Sequence, residues 1–191
     1  MSDQTQPEEN ILLKFLSFVK LKKKYFICAF VILSIFIISI ILINKNNLNN
    51  NLLISKNYNK AVVLLENKKN KEAKKILLNI INNEHKLYSP LSLYLIIEKK
   101  LETNKDKIIS LYDVVIENTK INNEDINLIK IKKAIYISEY EDEEKILKIL
   151  NPIINSESIW RNKALKLMID YFSIKNEKIK SEKYLELLKS N

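Results

Sequence analysis

The sequence predicts an all-α chain in which one N-terminal transmembrane helix leads into a solenoid of helical hairpins. Three observations predict it. Nineteen consecutive residues, Tyr25 to Ile43, carry no charge. Beyond them, apolar residues recur at helical spacing in segment after segment. The chain has no glycine, so the turns that punctuate sheet proteins are missing, and period-2 alternation is short wherever it occurs.

The apolar stretch comes first. At about 1.5 Å per residue its helix covers roughly 28 Å, close to a hydrocarbon core of about 30 Å. A cleaved export signal has a shorter apolar region and a small-residue cleavage site; here Ile-Leu-Ile-Asn-Lys-Asn-Asn follows Ile40. Lipid solvates no backbone polar group, so such a segment closes its own hydrogen bonds as a helix. Lys14, Lys20, Lys22, Lys23 and Lys24 precede it, and only Lys45 follows closely. Lysines beside a span stay cytoplasmic. The expected division is a cytoplasmic tail over residues 1–24, a transmembrane helix over 25–44 and an extracytoplasmic repeat domain over 45–191. Tyr25 falls where an interfacial aromatic belongs, and Lys20, Lys22, Lys23 and Lys24 flank the membrane, within reach of anionic headgroups. The stretch "PEENILLKFLSFVK" before them is amphipathic. It either lies along the inner membrane surface or extends the anchor helix.

Composition narrows the function classes. The net charge is +9; residues 1–24 carry five lysines against Asp3, Glu8 and Glu9, so about +7 belongs to the domain after the span. Arg161 is the only arginine, and the lysines are interleaved with glutamates. A nucleic-acid face usually needs arginine and clustered aromatics, so no nucleic-acid partner is expected. Cys28 and His85 are the only residues of their kinds. That leaves no zinc-ligand set and no internal disulfide. Without glycine there is no phosphate-binding loop, dinucleotide fingerprint or nucleophile elbow. No catalytic residue, metal or cofactor is expected, and the chain reads as a non-enzyme.

Four stripes mark the domain. They are Ala73, Ile76, Leu77, Ile80 and Ile81; Ile108, Leu111, Tyr112 and Val115; Ile146, Ile149, Leu150 and Ile153; and, more weakly from Lys180, Tyr184, Leu187 and Leu188. Asn70, Asn104, Asp142 and Asn176 open a polar turn before each, at separations of 34, 38 and 34 residues. Asn and Asp suit helix starts because the side chain accepts a bond from an unpaired N–H. A second helical stretch precedes each stripe, the second of them opening at Ser89-Pro90. Two helices per unit at a spacing near 34 residues is the pattern of tetratricopeptide-like repeats. Such units stack on one another because none buries its stripe alone.

A short tail, one anchor, a small outward repeat domain and the Trp160-Arg161 pair in "NSESIWRNKALKLMIDYF" together resemble the tetratricopeptide-like ancillary subunit of the bacterial Sec translocon, its alphaproteobacterial members most of all. That resemblance implies the bacterial inner membrane, with a cytoplasmic N-terminus and a periplasmic domain. It also implies a chaperone-like protein-binding scaffold for protein export, with the Sec translocon, periplasmic chaperones or exported proteins as partners. The missing glycines and scarce alanines depart from the family pattern. The same architecture also suits an anchored envelope factor for cell division or wall assembly.

Tyr58, Tyr94, Tyr136 and Tyr171 fall one to each leading helix. Leading helices line the concave face of such solenoids, where aromatics hold peptides; the alternative is a ring in the core with its hydroxyl toward water. Trp160 is expected to be a structural anchor beside Ala164 and the "ILNPII" stripe. Arg161 is expected beside it, paired with a carboxylate.

Overall fold

The computed structural model describes residues 23–118 and 121–190, which form eight helices and no strand among the described residues. They are α1 (Lys23–Glu66), α2 (Asn70–Asn82), α3 (Tyr88–Glu98), α4 (Lys105–Asn118), α5 (Asn123–Ile137), α6 (Glu143–Ile154), α7 (Arg161–Ile174) and α8 (Lys178–Lys189). Every stripe and every leading stretch expected from the sequence is a helix. The amphipathic segment and the flanking Lys20 and Lys22 lie outside the described residues.

α1 runs unbroken through the position where the sequence divides anchor from domain. No proline or glycine lies between Lys23 and Glu66 to stop it. Contacts divide the chain into the units Met1–Leu52 and Leu53–Asn191. In the first unit Phe30, Ile32, Ile35, Phe36 and Ile41 are all exposed, and together they surround the helix. Ser34 and Ser39 turn inward on the backbone: Ser34 Oγ donates to the Phe30 carbonyl at 2.5 Å and Ser39 Oγ to the Ile35 carbonyl at 2.8 Å. Counted over the described residues alone, which exclude the side chains of Phe26, Ala29 and Ile43, no helix is long and apolar enough to cross a membrane.

In the second unit, α2 to α8 pack consecutively, and α2 also packs on α4 and α5 on α7. Two apolar clusters form. One joins Ala61 of α1 to Ala73, Leu77 and Ile81 of α2, Leu93 and Ile96 of α3, and Tyr112 and Val115 of α4. The other joins Ile131 and Ala134 of α5 to Ile146 and Leu150 of α6, Leu165, Met168 and Phe172 of α7, and Tyr184 of α8. Tyr136 packs against both.

With no glycine available, the chain closes helices on two lysines, which dislike the left-handed region, and on an asparagine, which tolerates it. Lys68, Lys100 and Asn176 have φ of 58°, 49° and 60°. Each follows a leading helix that ends in the same pair of bonds. Lys69 N–H donates to the Leu64 carbonyl at 2.8 Å, Leu101 to Ile96 at 2.9 Å and Glu177 to Phe172 at 2.9 Å. This is the Schellman closure, made here at roughly 1–2 kcal/mol of left-handed strain per non-glycine residue. Asn176 is therefore the end of α7 and not the cap of α8, and Asn70 lies inside α2 after Lys69. Of the four expected openers, Asn104 caps, its Oδ1 accepting from Lys107 N–H at 3.0 Å, and Asp142 stands at the N-cap of α6 without a side-chain cap bond. Asn122 does the same for α5 through Asp125 N–H at 2.9 Å. Pro152 lies within α6; lacking an N–H, it leaves the Lys148 carbonyl without its in-helix donor.

His85 opens α3. Its Nδ1 accepts from the N–H groups of Leu87 and Tyr88, both at 3.1 Å, and its ring packs on Tyr88. Burial, then Lys86, lowers its pKa from the ordinary 6.5. The unfolded chain therefore binds a proton more readily than the folded one. The contribution of His85 is complete above 6.5 and is lost as the pH falls below it. Thermal melts at about pH 7.5 and about pH 5.5 should show a lower midpoint at the acidic value. His85→Asn keeps an acceptor but does not titrate, so it should shrink that difference. An unchanged difference in the variant would assign the pH effect elsewhere.

Candidate functional site

α3 and α5 are both leading helices, yet no packing like that of α5 on α7 joins them among the described residues. A groove of about 430 Å³ opens between them, with α4 beneath. Tyr94, Ile97 and Glu98 line it from α3, Tyr112 from α4, and Lys132, Ile135 and Tyr136 from α5. The sequence placed Tyr94 and Tyr136 on such a face, and the structure brings these two together. Tyr112, which the sequence assigned to the trailing stripe, is buried in the core and still reaches the groove, its ring centroid 6.1 Å from that of Tyr136.

The rings are held firmly. Tyr140 meets Tyr136 edge-on at 5.5 Å, and Lys105 Nζ lies 4.0 Å from the Tyr140 ring centre. Lys132 Nζ sits 4.3 Å over Tyr94. Burial, then Asp125, pushes the Tyr94 hydroxyl up to about 12. Burial also raises Tyr112 and Tyr140, with neighbouring tyrosines adding to it. All three are thus neutral donors at physiological pH. Ile135 stands at the rim with 45% of its surface exposed. Apolar faces, phenol hydroxyls, one carboxylate and one ammonium can hold an apolar side chain and orient the polar backbone or flank beside it. Tyr140 had a legible signal: it follows Tyr136 by one helical turn.

Tyr58 and Tyr171 do not join the groove. Tyr58 packs against Tyr88 at 5.3 Å, and the Tyr88 hydroxyl donates to Ser55 Oγ at 2.7 Å. Tyr171 is buried against Phe172 at 5.4 Å, with Lys175 over its ring. Its ring lies in the core, but its hydroxyl is buried there as well and does not reach water.

Trp160 is half-buried at the start of α7 and packs against the second apolar cluster. Its carbonyl accepts from Ala164 N–H at 2.9 Å. Arg161 makes no ion pair with a carboxylate among the described residues. Its Nε donates to the Ile154 carbonyl at 2.7 Å, tying the start of α7 to the end of α6. Ser158 fastens the same turn to α5, donating to Glu124 Oε2 at 2.7 Å and accepting from Asn127 Nδ2 at 3.1 Å. Of the residues expected to flank a membrane, Lys24 and Tyr25 are exposed in the first turns of α1. No group of acidic, histidine or cysteine side chains that could hold a metal occurs among the described residues. No protein-family model, curated protein or solved structure matches this chain.

Proposed function

We propose that the chain is a membrane-anchored scaffold that binds segments of other proteins in the tyrosine groove. The observation that carries this reading is the convergence of Tyr94, Tyr112 and Tyr136 on one open groove beside the exposed Ile135. Aromatic anchors in a partly dry groove are the usual source of binding energy between proteins. The anchor rests on the nineteen uncharged residues, on apolar side chains all round that helix, and on serines whose hydroxyls are bonded to its own backbone. Holding the groove at a membrane raises its effective concentration toward clients that pass there. We take those clients to be proteins of the export route on the periplasmic side, with the Sec translocon as neighbour.

The test is photo-crosslinking in native membranes. A photoreactive residue at Ile135 should yield adducts with translocon components or exported proteins. One at the exposed Lys166 should not. Tyr136→Ala should reduce the Ile135 adducts several-fold, in line with loss of an aromatic anchor of about 1–2 kcal/mol. Equal adducts at both positions would overturn the groove, and adducts with division or wall-assembly proteins alone would overturn the export assignment.

A further inference from the structure

The trailing helices leave a second groove, which shares no residue with the tyrosine groove. It lies where α4 and α6 face each other across α5, and it holds about 460 Å³. Its floor is apolar: Ile109 and Ile116 of α4, Ile137 of α5, and Ile149 and Pro152 of α6. On α4 Ile109 and Ile116 stand two turns apart on one face, and on α6 Ile149 and Pro152 stand about one turn apart. A segment that fills the space presents a matching stripe at i, i+3 or i+4, and i+7.

Charge decides which segment. Every charged residue that α6 contributes is a lysine, Lys145 and Lys148. Lys145 is paired with Glu141 at 2.5 Å, and on the other wall Asp113 is paired with Lys133. Those two pairs satisfy themselves. Lys148 is exposed and has no ion pair among the described residues. Lys130 also lines the groove, and Glu117 is the one acid there outside a pair. Lys148 on α6 and Lys130 on α5 then outnumber Glu117 by one, so the balance left is basic. We infer that this groove docks an amphipathic helix of a partner protein, its apolar stripe on the isoleucine floor and its acidic flank along Lys148. This site does not rest on the tyrosine groove.

The probe is a synthetic amphipathic helical peptide with Leu at i, i+3, i+4 and i+7 and Glu along one flank. Its counterpart has Lys in place of each Glu. Binding to the full chain in lipid nanodiscs is followed by fluorescence anisotropy. The acidic peptide should bind about fivefold more tightly than the basic one, the size expected of one or two exposed charges. Lys148→Glu should reverse that preference, and its far-ultraviolet circular dichroism should be unchanged because the residue is exposed. Ile149→Asp should weaken both peptides, whereas Ile135→Asp, in the tyrosine groove, should leave them alone. Equal affinity for the two peptides, or a preference that Lys148→Glu does not alter, overturns the inference. So does a disulfide between two copies of a Cys28→Ser, Lys148→Cys chain, which would make a second copy the occupant.

Discussion

Phe172→Ala is expected to unfold half of the helical domain and spare the rest. The side chain is fully buried, stacked on Tyr184 at 5.6 Å and edge-on to Tyr171. Truncating a buried phenylalanine costs about 3–5 kcal/mol, a large part of the stability of a small domain. Consecutively packed helices add their stabilities locally, and the two apolar clusters meet on α5, which gives Ile129 to the first and Ile131 and Ala134 to the second. Hydrogen exchange should therefore lose protection in the last turns of α5 and in α6 to α8, while α2 to α4 keep theirs. Uniform loss from α2 to α8 would mean one cooperative core, and the packing of Tyr136 on both clusters would then be the contact that joins them. Trp160 is a weaker place to cut, because its ring is only half-buried.

Removing residues 1–52 should abolish membrane association altogether. The cut falls at the boundary between the two units, and it takes every exposed apolar residue from Tyr25 to Leu52 with it. What remains keeps Ile54, Ala61 and both clusters. Residues 53–191 should be soluble, strongly helical by circular dichroism and cooperative in unfolding. The complete chain should stay with the membrane through alkaline carbonate extraction, since a nineteen-residue uncharged helix is held by its apolar area and not by charge. Extraction of the complete chain by carbonate or salt would sink the anchor. A cut at residue 44, where the charge pattern alone divides the chain, would leave an apolar overhang with Leu48 and Leu52 exposed.

The helices were legible in the sequence because an apolar stripe has only one way to be buried. Ala73, Leu77, Ile80 and Ile81 recur at the helical period, and all four are buried on α2. The same holds for Ile146, Leu150 and Ile153 on α6. Caps were less legible. Asn70 and Asn176 have the chemistry of helix starts, yet Asn176 serves as a left-handed helix end, a task that falls to it and to Lys68 and Lys100 because the chain has no glycine.

The sequence by itself determined the helical class, the pairing of helices and the uncharged span, because each depends on local periodicity and charge. Only the tertiary structure decided which tyrosines share a site. Tyr58, Tyr94, Tyr136 and Tyr171 fall one to each leading helix, but α5 packs on α7 while no such packing joins α3 to α5 among the described residues. That difference buries Tyr171 and opens a groove for Tyr94, Tyr112 and Tyr136. The spacing between non-adjacent helices is set by how side chains from several segments fill the space between them, and no single stretch of sequence contains that information.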